Sequence, residues 1–251
     1  MLKTDRKILI ALIALHFYLP AAHAVENSQN TLLNYYFVSS LSIGSGWQRA
    51  GQTQTVDLTP DVTKTYTANK PTNTLPTGEL FLGIGTLFST QAEGQIGLAF
   101  LAAQRANLSG NIWDDGDPNF NNYTYQYKVA HTAINLKAKL LGHWNLPIIP
   151  WISTSLGVAF NKAYAFSNTP TTFETIQSPD FSSHTTKAFT YAIGIGVERQ
   201  LTSSWQIGAG YEFSDWGKSA LGPVPGGGSN RGLSLSHLYT NSILFNLTYI
   251  A

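Results

Sequence analysis

Large apolar residues alternate with small or polar ones, at a period of two, through eight stretches of the chain. Residues 78–89 set Leu80, Leu82, Ile84 and Phe88 against Glu79, Gly83 and Gly85. Residues 94–105 set Ile96, Leu98 and Phe100 against Gln95, Gly97 and Ala99. The same pattern recurs over 36–48, 151–166, 188–200, 205–216 and 238–250. Side chains of a strand point alternately to opposite faces, so this period predicts β-structure. The predicted strands run to ten residues or more, longer than the usual five or six of soluble proteins. In the remaining stretch, 123–141, Ile134, Leu136, Ala138 and Leu140 oppose Asn135, Lys137 and Lys139. Upstream of His131 the apolar residues change phase, which predicts a β-bulge there.

The links alternate as well. Long, polar, Pro/Gly/Asn-rich links at 49–77, 106–122, 167–187 and 217–237 follow the odd strands. Short ones at 90–93, 142–150 and 201–204 follow the even strands. Membrane barrels have this arrangement, with long loops outside and short periplasmic turns. No segment after the N-terminus holds 18 continuous apolar residues, so no spanning helix is predicted. A chain that crosses lipid without helices must close into a barrel, because every backbone N–H and C=O needs a partner.

Parity then decides which face meets lipid. A soluble eight-stranded barrel is apolar inside, and a membrane barrel is apolar outside. A bore of eight strands has room for little beyond its own side chains. Glycine, alanine and serine suit that space; rows of Ile, Leu, Phe and Tyr do not. The prediction is an all-β fold, an eight-stranded antiparallel up-and-down transmembrane β-barrel. Ile195, Phe245 and Leu98 should face outward, and Gly196 and Glu212 inward.

Composition supports this reading. Charged residues make up 12% of the chain, about half the usual share of a soluble protein. Lys3, Arg6 and Lys7, an apolar run over 8–19 and Ala22-His23-Ala24 read as a signal peptide over 1–24. Residues 25–34 then form a short periplasmic lead, and 35–251 the barrel domain. Removing 1–24 leaves twelve Lys and Arg against thirteen Asp and Glu, with no electrostatic footprint for nucleic acid. There is no cysteine, so disulfides contribute nothing to stability.

Glu79, Lys137, Lys139, Glu198 and Glu212 fall on the inward parity. Buried charges need partners. The five are read as a polar plug of carboxylate–ammonium pairs, with a re-pairing gate for ions or small solutes as the alternative. Trp47, Tyr123, Tyr125, Trp151, Trp205, Trp216, Tyr239 and Tyr249 lie near strand ends and are read as an interfacial aromatic belt. Trp113-Asp114-Asp115-Gly116-Asp117 places three carboxylates on a turn but lacks the spacing of a calcium loop, so no metal is expected. A lipid-modifying enzyme is the second alternative, with His131, His184 and His237 as candidate bases. Ser236 adjoins His237, yet adjacent strand residues point to opposite faces. Neither G-x-S-x-G nor H-E-x-x-H occurs. The expectation is a protein that is not an enzyme and takes no cofactor.

The eight alternating stretches, the four long links and the final strand, with Ile243, Phe245, Leu247 and Tyr249 on one parity, resemble the eight-stranded outer-membrane β-barrel family. That family includes the membrane domain of OmpA-type proteins and the opacity-like surface proteins. The resemblance covers nearly all of 35–251. It implies a monomer in the outer membrane of a Gram-negative bacterium, in contact with outer-membrane lipid and lipopolysaccharide and inserted by the barrel assembly machinery. It implies a structural or adhesin-like role, with a host or surface ligand taken by the long loops. The salt-bridged interior of OmpA-type barrels points to Glu79, Lys137, Glu198 and Glu212 as the equivalent plug. Two features depart from the pattern. No peptidoglycan-binding domain is expected after the eighth strand, and Tyr249-Ile250-Ala251 stands where a terminal Phe is usual.

Overall fold

The computed structural model describes residues 35–59, 62–144, 146–171, 178–226 and 231–251. The signal peptide and lead expected over 1–34 lie outside the described residues. Among those residues the strands, in chain order, are β1 (Tyr35–Arg49), β2 (Gln54–Thr59), β3 (Val62–Ala68), β4 (Thr72–Ser89), β5 (Ala92–Asp114) and β6 (Asn121–Gly142). They continue with β7 (Ile149–Pro170), β8 (His184–Gln200), β9 (Trp205–Asp215), β10 (Ser219–Ala220), β11 (Ser234–Leu235) and β12 (Tyr239–Ile250).

Eight strands close a ring through antiparallel pairs in the order β1, β4, β5, β6, β7, β8, β9 and β12, with β12 returning to β1. Ring closure leaves no free sheet edge in the barrel wall. One register line runs Phe189, Val158, Ile134, Phe100, Leu80, Leu41, Leu247, Ile207 and back to β8 at Arg199. It returns ten residues displaced, from 189 to 199. Eight strands with a shear of ten tilt by about 40° from the barrel axis.

The predicted orientation holds. Leu98, Ile195 and Phe245 are 48%, 59% and 62% exposed, whereas Glu212 is 5% exposed. Bulky outward residues form a continuous band: Ile84, Ile96, Leu136, Ile152, Ile193, Ile207 and Ile243 are all exposed. An apolar exterior of this extent is stable only against lipid.

Above this band the wall continues. β5, β6 and β7 run on for roughly another ten residues, and their outward faces turn polar. The expected loop 106–122 is in fact the end of this hairpin, paired from Ala106–Val129 to Trp113–Asn121 and closed by a turn. Asp115 and Gly116 adopt positive φ in that turn, and Asp117 Oδ1 accepts from Asn119 N at 2.9 Å. The expected loop 49–77 also folds, as the β2–β3 hairpin, whose β3 joins the outer part of β5 over Lys64–Asp114 to Ala68–Gly110.

The bulge expected near His131 is not on that strand. β6 keeps a single phase throughout, with even residues outward and odd residues inward. Ile134, Leu136 and Leu140 face out, while Tyr123, Tyr125, Tyr127 and Val129 face in. The apolar parity flips because the surroundings flip: lipid borders the lower half and water the upper half. Near His131 the register shifts fall instead on the neighbours, between Ala103 and Ala106 of β5, and against β7 between Gln126 and Lys128; the one extra residue of β6, Asn122, lies at its outer tip. Ala165, at the β7 irregularity, has φ of 53°.

Candidate functional site

The inward faces of β4, β6, β8 and β9 carry Glu79, Lys137 with Lys139, Glu198 and Glu212 respectively. Lys137 is the centre. Its Nζ donates to both Glu79 carboxylate oxygens at 2.7 Å and to Glu212 Oε2 at 3.1 Å. All three side chains are buried. One period lower on β6, Lys139 Nζ donates to Glu198 Oε1, which also accepts from Asn246 Nδ2 at 2.5 Å. Two lysines a single period apart on β6 thus meet carboxylates from three other strands. Asn135 Nδ2 donates to Ser155 Oγ at 3.0 Å, and Thr248 Oγ1 donates to Ser40 Oγ at 2.9 Å, extending the network around the bore.

The cavities among these groups are small. One of about 30 Å³ lies between Glu79, Lys137, Lys139, Trp151 and Glu212, and one of about 10 Å³ between Glu79, Glu212 and Trp216. Such spaces hold a water molecule or so, not a hydrated solute.

Toward the short-turn mouth a second cluster closes the bore. Glu93 accepts from Gln95 Nε2 at 2.7 Å and from the Tyr36 hydroxyl, and pairs with His143 Nε2 at 2.7 Å. Sequence reading missed this cluster. A turn over 90–93 leaves Glu93 outside the strands, whereas β5 begins at Ala92, so Glu93 takes the inward parity already visible in Gln95.

The outer end is filled differently. Tyr66, Leu75, Leu108, Ile112, Tyr127 and Phe166 turn inward and bury one another with Leu221, Val224, Leu233 and Leu238 of the last long link. Tyr66 meets Tyr125 edge-on at 5.6 Å and Phe166 at 6.4 Å, and Phe166 meets Phe181 at 5.0 Å. Burial raises the Tyr66 phenol and pushes that of Tyr125 up to about 12, so both remain neutral. This is a dome with an ordinary water-soluble core.

The eight aromatic residues read as a belt divide between two settings. Trp47, Trp205 and Tyr239 are exposed on the outward face, and Tyr249 packs on Trp205 at 5.0 Å between ring centroids. The other four point inward, which corrects the reading. Tyr123 and Tyr125 are buried in the dome, and Trp216 is buried beside His131, 5.4 Å between rings. Trp151 lies within the bore, its ring 4.8 Å from Lys139 Nζ. A Cβ on Gly196 or Gly210 would stand 2.5 or 2.4 Å from that ring. The glycine stripe therefore makes room for one large indole. Proximity to a strand end does not distinguish the two parities.

The candidate bases do not converge. His131 is buried on Asn161, Nδ1 to Oδ1 at 3.0 Å. His237 Nδ1 meets Asp215 Oδ2 at 2.8 Å, and Asp215 Oδ1 accepts from Gly217 N at 2.8 Å, tying together the outer ends of β9 and β12. Ser236 turns away from His237 to Gln52 Oε1, 3.3 Å distant. His184 is exposed at the start of β8. No cluster of metal-binding side chains forms among the described residues. Asp114 pairs instead with Lys64 at 2.9 Å.

A closed ring, a lipid-compatible exterior and a charged, filled bore stand together. The protein is a β-barrel of the outer-membrane type. Neisserial surface protein A (NspA) is similar to it over 86% of this chain and 98% of its own, at 10% identity and a TM-score of 0.42. Ail, the attachment invasion locus protein of Yersinia pestis, in complex with the heparin analogue sucrose octasulfate, is similar over 86% and 99%, at 13% identity and 0.39. The outer membrane protease OmpT from Escherichia coli is similar over 88% and 99%, at 9% identity and 0.48. No protein-family model and no curated protein sequence matches the chain. The likeness extends to the fold alone.

Proposed function

We propose that this barrel is a sealed, non-conducting surface protein of a Gram-negative outer membrane, and that its dome is the working face. One observation carries the proposal: the bore is blocked by two unlike materials in series. Paired charge fills the membrane level, around Lys137, and an apolar core fills the dome above it. A conduit would need both to open. The dome, in contrast, is built to hold a shape, with the β2–β3 hairpin, the β5–β6 tip and the last long link fixed on one core. Rigid presentation of loops is how such scaffolds engage partners. With its histidines dispersed, the protein acts by contact, not by catalysis.

Two measurements test this. In planar bilayers the purified protein should show no steady unitary conductance; steady channels would overturn the sealed reading. The chain has no cysteine, so single-cysteine labelling is clean. Asp115→Cys, at the β5–β6 tip, should react with a membrane-impermeant maleimide on intact cells, and Thr202→Cys, in the β8–β9 turn, should not. The reverse pattern would place the dome in the periplasm and remove its role as a surface.

A further inference from the structure

Just above the apolar band, four cations stand on the outward faces of four adjacent strands: Arg105 on β5, Lys128 on β6, Lys162 on β7 and Lys187 on β8. Arg105, Lys162 and Lys187 are exposed and Lys128 is half-buried. Lys187 is two residues beyond the outward Phe189, and Lys162 two beyond the outward Phe160. Strand register brings them level. With a shear of ten over eight strands, a horizontal line climbs about one and a quarter residues at each step from β8 toward β5. Lys187 is paired with Phe160, which is paired with Thr132. Lys162 lies two residues outward of Phe160, Lys128 four outward of Thr132, and Arg105 between Ala103, opposite His131, and Ala106, opposite Val129. The four fall within roughly 7 Å of one height.

Arg105 reaches this collar only through the β5 bulge. Odd residues of β5 point inward up to Ala103 and even ones from Ala106, so Gln104 and Arg105 both face out. Without the bulge Arg105 would enter the apolar dome. Re-aiming a side chain is a recurrent use of bulges. The acidic residues of β5 to β8 are Glu93, Asp114 and Glu198, and each has an inward partner. Among the described residues none of the four cations has an ion pair, and Lys162 Nζ lies 5.7 Å from the Tyr164 ring.

We infer that this collar binds the phosphate groups of a phosphorylated glycolipid of the outer leaflet, while the band beneath it, with Phe100, Val158 and Phe189, takes the acyl chains. The assignment rests on the membrane reading above. It follows from position: cations one step above a lipid-facing band sit where headgroup phosphates lie, and planar guanidinium and ammonium groups suit them. A soluble polyanion would bind the cations but has no use for the apolar band below.

The test compares binding of the refolded protein to vesicles containing phosphorylated or fully dephosphorylated lipid A, with R105Q/K128Q/K162Q/K187Q as the variant and K70Q, between β3 and β4 in the dome, as the control. Folding is checked in each sample by heat-dependent gel mobility. The wild type and control should prefer the phosphorylated lipid by on the order of a hundredfold, and the fourfold variant by less than about threefold. A wild type without preference, or a variant that keeps it, overturns the collar. Capture of a soluble heparin oligosaccharide that is lost in the fourfold variant, without any lipid preference, replaces the glycolipid by a polyanion and also overturns it. Loss of the mobility shift in lipid would instead sink the membrane reading itself.

Discussion

Replacing Lys137 by alanine should damage this barrel far more than removing the whole charged triad. Lys137 Nζ lies 2.7 Å from Glu79 and 3.1 Å from Glu212, with all three side chains less than a tenth exposed. At an effective dielectric near 20, contacts of this length give gross attractions of about 6 and 5 kcal/mol. Desolvation of the three charges offsets most of that, so the intact triad contributes little net stability. Lys137→Ala leaves the desolvation and removes the attraction, stranding two carboxylates that repel each other. The expected cost is about 3–5 kcal/mol at neutral pH. Acid should relieve it, because protonation removes the stranded charge; the loss belongs to the ionised carboxylates and fades as pH falls. E79Q/K137M/E212Q strands nothing and should fall within about 1.5 kcal/mol of the wild type. Urea unfolding from lipid vesicles, followed by tryptophan fluorescence, reads both numbers. Equal midpoints for Lys137→Ala and the triple variant, or a Lys137→Ala defect that deepens in acid, would refute the reasoning.

Two further outcomes probe the other packed regions. Gly210→Ala should lower stability to urea by about 1–3 kcal/mol, since the new methyl stands 2.4 Å from the Trp151 ring, and the same substitution should cost clearly less in a Trp151→Ala background; additive defects would mean that the indole does not occupy the glycine stripe. Phe166→Ala, in the dome, should cost about 3–5 kcal/mol locally, seen as faster protease cleavage of the dome with an unchanged heat-dependent mobility shift of the barrel. Loss of the shift along with the dome would show that the two halves fold as one unit.

The lower half of the fold was legible because lipid imposes one rule on every strand. Ile195 and Gly196, or Leu98 and Gly97, differ so much in size that parity alone assigns their faces. The charged residues were legible for the same reason, since Glu79, Lys137 and Glu212 interrupt a small-residue parity. The dome was not. Tyr123, Tyr125 and Tyr127 obey the same period as Ile134 and Leu136 but answer to the opposite solvent, and a local reading of apolar parity turns that into a bulge. The polar composition of 106–122 likewise reads as loop, although a strand with water outside and a core inside needs polar residues on alternate positions. Trp151 was misplaced because an aromatic ring at a strand end fits either face; only the glycines of β8 and β9, distant in sequence, reveal the space it fills.

The change of parity along β6 is also a ruler. Inside-out and right-side-out packing cannot overlap at one level, because an outward Ile is costly in water and an outward Lys is costly in lipid. Between outward Ile134 and outward Lys128 lie Thr132 and Ala130, small residues that tolerate either solvent. On β8 the change is sharper, from Phe189 to Lys187 in a single period. With strand tilt taken into account, Lys187, Lys162, Lys128 and Arg105 lie within roughly 7 Å of one height, so the boundary is one surface around β5 to β8 and not four separate accidents of sequence. Buried below it, charge needs paired partners, and Lys137 and Lys139 have them. Exposed above it, apolar bulk needs a core, and Tyr125 and Phe166 have one. The same strands can serve both halves because a β-strand fixes only which side a residue faces, and leaves the medium on that side to choose the residue.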